Sequence, residues 1–337
     1  MSIRASENST NVLPRAGEWM PPATAPQLTV VVDTEEEFNW DAPLSRDSTS
    51  VTAMRHIHRV QRIFDRAGLT PTYVIDYPVA SKPEGYGPLF EIWRDGRCDI
   101  GAHLHPWVTP PHTEEVNGRN SFTLNLPEPL QRAKLERLCE EIDKRFGAPH
   151  VFKAGRYGIG AATLPILEGL GFNADVSVCP RFDFSALGGP SFTDIGPEPW
   201  RLTARLLEVP CTVGYVGWAR SVGSFVLPLT TRPLLSKFRA AGVLARTRAM
   251  NRIMLSPEGS TLAELCALTR ALVVDGCRVF TLSFHSPSVE PGHTPYVRTA
   301  ADLERFLTTI DEYCHFFKSE MAGRFTTAAA LAAASTA

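Results

Sequence analysis

What the chain lacks narrows the reading first. Its seven cysteines, Cys98, Cys139, Cys179, Cys211, Cys266, Cys277 and Cys314, stand singly, with no Cys-x-x-Cys pair. The odd count and wide spacing argue against a disulfide framework or a thiolate zinc site, and for small buried hydrophobes in a reducing compartment. No stretch approaches the roughly 18 apolar residues that a membrane span needs. The start, rich in Ser, Pro, Ala and Asn, lacks the apolar run of a secretory signal. The expectation is a cytoplasmic chain, with residues 1–27 a mostly disordered leader and the Ala-rich residues 325–337 a frayed tail. An excess of one charge is also missing. A formal net charge of -2 gives no general reason to expect nucleic acid as a partner. Finally, no Gly-x-Gly-x-x-Gly opens a helix after the first apolar run, which disfavours a dinucleotide-binding fold.

What is present is a globular composition, 44% hydrophobic and 21% charged over 337 residues, enough for one large α/β barrel or two ordinary domains. Short β-branched runs alternate with segments of helical period. Runs beginning at Leu28, Thr72, Asp99, Val151, Ala174, Leu206 and Arg278 give seven strand candidates. Between them, helical spacing is read over Val51–Ala67, Pro88–Arg97, Glu128–Phe146, Ala161–Gly169 and Leu262–Val274, with a last helix from Ala300 to Lys318. Repeated strand–helix alternation implies parallel βαβ units, closed as a barrel or open as a doubly wound sheet. Asp33, His103, Arg156 and His285 fall at or just past the ends of four different strands. In a (β/α) barrel such ends converge on one face, where the active site sits.

The stretch before the last strand is too long for one βα unit. Within it Arg232–Arg252 carries Arg232, Lys237, Arg239, Arg246, Arg248 and Arg252 without an acid. Its apolar spacing suits a basic helical insertion, about residues 230–256, as a solvated face or a contact for an anionic glycan, a lipid-linked phosphate or a membrane surface.

Four segments can carry chemistry. In Val31-Val32-Asp33-Thr34-Glu35-Glu36, the carboxylates of Asp33 and Glu35 are two apart and project to one side of an extended chain. One can bind a metal while the other takes a proton from water. In Ala102-His103-Leu104-His105-Pro106-Trp107, two imidazoles two apart can share a cation such as Zn²⁺. With one carboxylate they leave a position open for water. Glu36 is an alternative to Glu35, and His112, in a Pro-flanked loop, an alternative to His105. In Lys153-Ala154-Gly155-Arg156-Tyr157-Gly158 the glycines let backbone approach a ligand closely, and an N–H beside Tyr157 can serve an oxyanion. In Leu282-Ser283-Phe284-His285, a lone His ends an apolar strand, as a general acid would.

Taken together and in this order, the segments resemble the polysaccharide deacetylase family, the NodB-homology barrels that remove acetyl groups from N-acetylated sugars. The resemblance runs from about Leu28 to Arg324. It departs from the family pattern in three places: Thr34 stands where a second Asp is usual, Trp107 where the second His is usual, and the Arg156 turn lacks prolines. The pattern is that of a divergent bacterial branch.

The resemblance implies a distorted seven-stranded (β/α) barrel. It implies a divalent metal, with Zn²⁺ the expectation, on Glu35, His103 and His105, and Asp33 as general base with Arg156 paired to it. It further implies the Tyr157 N–H on the oxyanion, His285 as general acid and Asp175 orienting a partner. The substrate would be an N-acetylated glycan or lipid-linked sugar, with Trp40 and Trp107 available to stack on sugar rings. Two other readings stay open: a metal hydrolase of another amide or ester on the same barrel, and an inactive glycan-binding barrel.

Overall fold

The computed structural model describes residues 13–19, 24–218, 220 and 250–334. In chain order the strands are β1 (Gly17–Glu18), β2 (Gln27–Thr34), β3 (Thr72–Ile75), β4 (Asp99–Leu104), β5 (Val151–Ala154), β6 (Ala174–Asp175), β7 (Trp200–Arg201), β8 (Leu207–Glu208), β9 (Val213–Val216), β10 (Asn251–Met254), β11 (Val279–His285) and β12 (Arg324–Phe325). The helices are α1 (His58–Ala67), α2 (Tyr77–Ser81), α3 (Pro83–Arg94), α4 (Glu128–Phe146), α5 (Leu164–Gly169), α6 (Leu262–Val274), α7 (Ala300–Ser319) and α8 (Ala328–Ala334). No described helix is long and apolar enough to cross a membrane.

All seven expected strands are present, and they pair in parallel in the order β8-β6-β5-β4-β3-β2-β11. The helices that follow them cover the outside, as parallel pairing requires. Thr261 and Glu264 form a reciprocal cap at the start of α6, and Thr299 and Asp302 do the same for α7. Gly68, at φ 72°, ends α1 in the left-handed region that glycine tolerates best.

The expected closed seven-stranded barrel is, among the described residues, a curled half-barrel. Short strands β1, β7 and β12 bring the sheet to ten strands, and no ladder joins β11 to β8. On its side away from β2, β11 meets two single residues instead. Thr281 N donates to Thr212 Oγ1 (2.8 Å), Ser283 N to Leu255 O (3.1 Å), and Leu255 N to Thr212 O (2.8 Å). Two backbone N–H groups of β11 are thereby satisfied without a strand.

The two ends of the chain also differ from expectation. Within the segment read as a disordered leader, Gly17–Glu18 pairs antiparallel with β7, and Trp19 is buried. The Ala-rich tail forms α8, whose Ala328, Leu331 and Ala332 join Trp19, Val31, Val74, Val151, Leu207 and Val279 in one apolar cluster. That cluster fills the lower inner face of the half-barrel, and its burial holds both segments in place. Most of the basic insertion, Arg232 to residue 249, lies outside the described residues. Its last part is a strand rather than a helix, because Asn251–Met254 pairs antiparallel with β9. The Arg252 guanidinium sits 3.8 Å from the Phe182 ring centroid and donates to Arg181 O, so it is not part of a free basic face.

Inner-facing positions recur every second residue. On β2, Val31 joins the apolar floor and Asp33 lines the cavity above it; on β5, Val151 and Lys153 repeat the step. The inner wall is thus apolar below and charged at the C-terminal edge. Gly101 on β4 has no room for a methyl: a Cβ would stand 2.7 Å from Val151 O and 2.9 Å from Val74 Cγ1. Gly101→Ala is expected to cost about 1–3 kcal/mol of stability, read as a lower denaturation midpoint at constant m-value. An unchanged midpoint would show that the strands part freely.

Candidate active site

Parallel register assembles the site. Asp33 on β2 lies opposite His285 on β11, and His103 on β4 lies opposite Lys153 on β5. The strand ends open on a cavity of about 560 Å³ lined by Asp33, Glu35, His103, His105, Lys153, Arg156, Tyr157 and His285 among others.

Glu35 and the two histidines form its floor. Glu35 Oε2 stands 3.4 Å from His103 Nε2 and 3.5 Å from His105 Nε2, and all three side chains are buried. The other ring nitrogens are occupied: His103 Nδ1 is 3.2 Å from Lys153 O and His105 Nδ1 is 2.8 Å from Glu36 Oε2. Each imidazole therefore keeps Nε2 for the side facing Glu35. Burial lowers the pKa of both, that of His105 to about 4, so both are neutral near pH 7 with a lone pair to give. Burial also raises Glu35, whose Oε1 is enclosed without a hydrogen-bond partner. An orphaned buried carboxylate oxygen beside two neutral, oriented imidazoles fits a divalent cation.

Glu36, weighed as a ligand, stands behind His105. Its Oε1 accepts from Trp107 Nε1 (2.7 Å), and its N–H donates to Asp76 Oδ2 (2.7 Å). Burial pushes Glu36 up to about 8, and burial with the adjacent Glu36 carboxyl holds Asp76 well above the carboxylate range. Trp107 is buried with its ring 4.2 Å from that of His105, so it supports the imidazole rather than offering a face to solvent. His112 is exposed and belongs to neither group of clustered metal-ligating side chains.

The expected Asp33–Arg156 pair is absent. Lys153 takes that place, with Nζ 2.6 and 2.7 Å from the two Asp33 oxygens. Burial would raise Asp33, but Lys153, His103 and His285 outweigh it and hold the carboxyl below its usual value. Arg156 instead donates to Ser121 Oγ, with its guanidinium 4.4 Å from the Phe122 ring centroid. Register explains the exchange. Lys153 is an inner-facing strand residue beside His103, whereas Arg156 follows in a turn where it and Tyr157 adopt φ of 54° and 62°. Gly155 opens that turn because a Cβ there would come 2.4 Å from the His105 ring.

Asp175 also differs from expectation. It lies opposite Phe152, whose ring belongs to the outer core, so the two-residue period turns it away from the cavity. It accepts from Ser177 Oγ (2.5 Å) beside Glu208, and burial raises both carboxyls. His285 is oriented by Glu258, whose Oε2 is 2.7 Å from His285 Nδ1 while Oε1 accepts from His285 N (3.2 Å). Its Nε2 faces Asp33 Oδ2 at 3.9 Å. Burial opposes charge on His285, but Glu258, Glu35 and Asp33 outweigh it and push the imidazole up to about 10. Lys153, Glu258 and Asp76 were missed in sequence. Lys153 carried a signal, since two-residue alternation along Val151–Ala154 places it inward; Glu258, in a Ser-Pro-Glu-Gly turn, carried none.

No family model matches the sequence, and no curated protein matches it. Solved structures do match. One from Mycobacterium smegmatis, described as a polysaccharide deacetylase, is 17% identical over 96% of this chain and 95% of its own, with a TM-score of 0.56. The chain has the polysaccharide deacetylase fold. A 4-alpha-glucanotransferase from Thermococcus litoralis is 10% identical over 92% of this chain and 40% of its own, at a TM-score of 0.50. A peptidoglycan N-acetylglucosamine deacetylase is 10% identical over 92% and 89%, at 0.45. Within this fold the charged strand ends face one cavity, which makes the Asp33–Lys153 pair testable. Lys153→Met would remove the group that hydrogen-bonds both Asp33 oxygens and cost about 3–5 kcal/mol. A depressed carboxyl stabilises above its unfolded pKa of about 3.9. That contribution disappears as pH falls through the folded value. The variant's deficit, measured by denaturation from neutral pH downward, should therefore shrink in acid. A deficit independent of pH would contradict the pairing.

Proposed function

We propose that the protein is a metal-dependent hydrolase that removes an acetyl group from an N-acetylated sugar of a glycan or glycan precursor. The observation that carries this reading is the set of Glu35, His103 Nε2 and His105 Nε2 facing one another beside Asp33 and His285 on one cavity wall. The shared fold supports it.

Glu35, His103 and His105 would hold the cation, and Zn²⁺ suits a His₂–carboxylate set. Bound there, it supplies Lewis acidity toward the acyl oxygen and a lowered pKa for water. The chain's own groups do the rest. Asp33, kept ionised by Lys153, takes the proton of the attacking water. The Tyr157 N–H is the proposed donor to the developing oxyanion. His285, protonated through Glu258, delivers a proton to the departing amine. Trp40, exposed at the rim with its ring 5.2 Å from His285 and 5.8 Å from Tyr296, offers an aromatic face to a sugar ring.

Three variants separate these roles. His103→Ala should lose both bound metal, by elemental analysis, and acetate release from N-acetylated oligosaccharides. Asp33→Asn should keep the metal and lose turnover by about 10²–10⁴-fold. Full metal and activity in His103→Ala would overturn the ligand set, and release from simple esters but not acetamido sugars would move the substrate class. Glu258→Gln removes a carboxylate that raises the His285 pKa, so the alkaline limb of kcat/KM should move to lower pH. An unmoved limb would remove His285 from the acid role.

A further inference from the structure

Among the described residues, one cation of the cavity has no carboxylate partner. Lys153 is neutralised by Asp33, and His285 is paired with Glu258. Arg156 lines the same cavity, and among the described residues no carboxylate lies within ion-pair distance of its guanidinium. The group is nonetheless held. Nη1 donates to Ser121 Oγ, and the guanidinium packs against the Phe122 ring. Among the described residues one of its five N–H donors is thus used on protein, and the planar fork is held. The backbone carries a cost to present it there, since Arg156 and Tyr157 are consecutive non-glycine residues at positive φ. Burial weakens the charged form of Arg156, and among the described residues no neighbouring acid offsets this. A half-buried, ordered and unmatched guanidinium at a cavity wall is a receptor for an anion.

Resting on the deacetylase reading above, we propose that the substrate is an anionic sugar, and that Arg156 binds a carboxylate or phosphate it carries near the scissile acetamido group. Lys153 makes this possible by taking over Asp33, which leaves Arg156 free to face the ligand. A neutral acetamido glycan would leave the guanidinium unpaired in the closed complex. Arg156 is here a specificity residue, and its effect belongs in the ratio between substrates.

The test compares kcat/KM of the metal-loaded protein on three acetamido sugars matched in length: neutral, bearing a carboxylate at C6, and bearing a phosphate at C6. Wild type should prefer at least one anionic form by about 10- to 100-fold, and the arm that wins identifies the anion. Arg156→Met should bring that ratio to within about threefold, while Arg156→Lys keeps part of it, as a point charge without the fork would. If Arg156→Met does not fold, by circular dichroism, Arg156→Gln replaces it. Calorimetry with the deacetylated forms of the same sugars reads binding apart from turnover. Arg156-dependent binding of the anionic forms without acetate release from any sugar would support the anion site and overturn the deacetylase reading. Acetate release with equal preference for neutral and anionic sugars, or a preference that survives in Arg156→Met, would overturn the anion site alone.

Discussion

The parallel pairing of β2 with β11 is the constraint on which the site depends. It sets Asp33 beside His285 although about three quarters of the chain separates them. A slip of one residue in either strand would turn that strand's side chain to the opposite face. The register is fixed from below. Val31 and Val279 belong to the apolar floor that Trp19 and α8 close, while Val30, Val32, Leu282 and Phe284 pack on the outer core. Apolar residues on both faces thus specify where the charged ones fall. The termini matter here because they bury the floor, and the floor holds the strands.

Electrostatics at the upper edge follows from that geometry. Four acids, Asp33, Glu35, Glu36 and Glu258, and the basic groups of His103, His105, Lys153 and His285 share a buried region. Buried charge survives only when paired, and the pairing here sorts the groups by role. Lys153 keeps Asp33 ionised, and Glu258 keeps His285 protonated. The two imidazoles that face Glu35 stay neutral because burial dominates and their Nδ1 atoms are already engaged. An ionised carboxylate and a protonated imidazole thus lie 3.9 Å apart, the two states that the proposed base and acid roles require.

Strands were legible in the sequence because inner and outer positions are both apolar, and helices because Gly68 and the Thr-led caps mark their ends. Breaks within helices were less so. The segment read as one helix from Val51 has a 3-10 turn over Thr52–His56 before α1, and α2 was not anticipated. The candidate site divided along a similar line. Residues at strand ends, Asp33, His103 and His285, line the cavity, since alternation plus the C-terminal edge determines where they point. Partners were illegible wherever they come from a distant turn, as Glu258 does, or depend on which face a two-residue strand presents, as with Asp175. The open side of the sheet was illegible too, because Thr212 and Leu255 meet β11 there by single hydrogen bonds that leave no periodic trace.

The run Glu35-Glu36-Glu37 shows why composition alone cannot assign such a site. Three identical side chains, adjacent in sequence, meet three environments. Glu35 turns into the cavity, where two Nε2 atoms face it and one of its oxygens has no partner. Glu36 turns back to hold His105 and Trp107. Glu37 turns outward and accepts from Ser50 Oγ, Thr52 Oγ1 and the Ala53 N–H, tying down the segment that leads to α1. What differs among the three positions is the surroundings, not the acid. The first needs a carboxylate with spare capacity, the second one already saturated, and the third one reachable by solvent-side donors. A candidate ligand is therefore recognised by the hydrogen bond it fails to make, and among these three only Glu35 has such an oxygen.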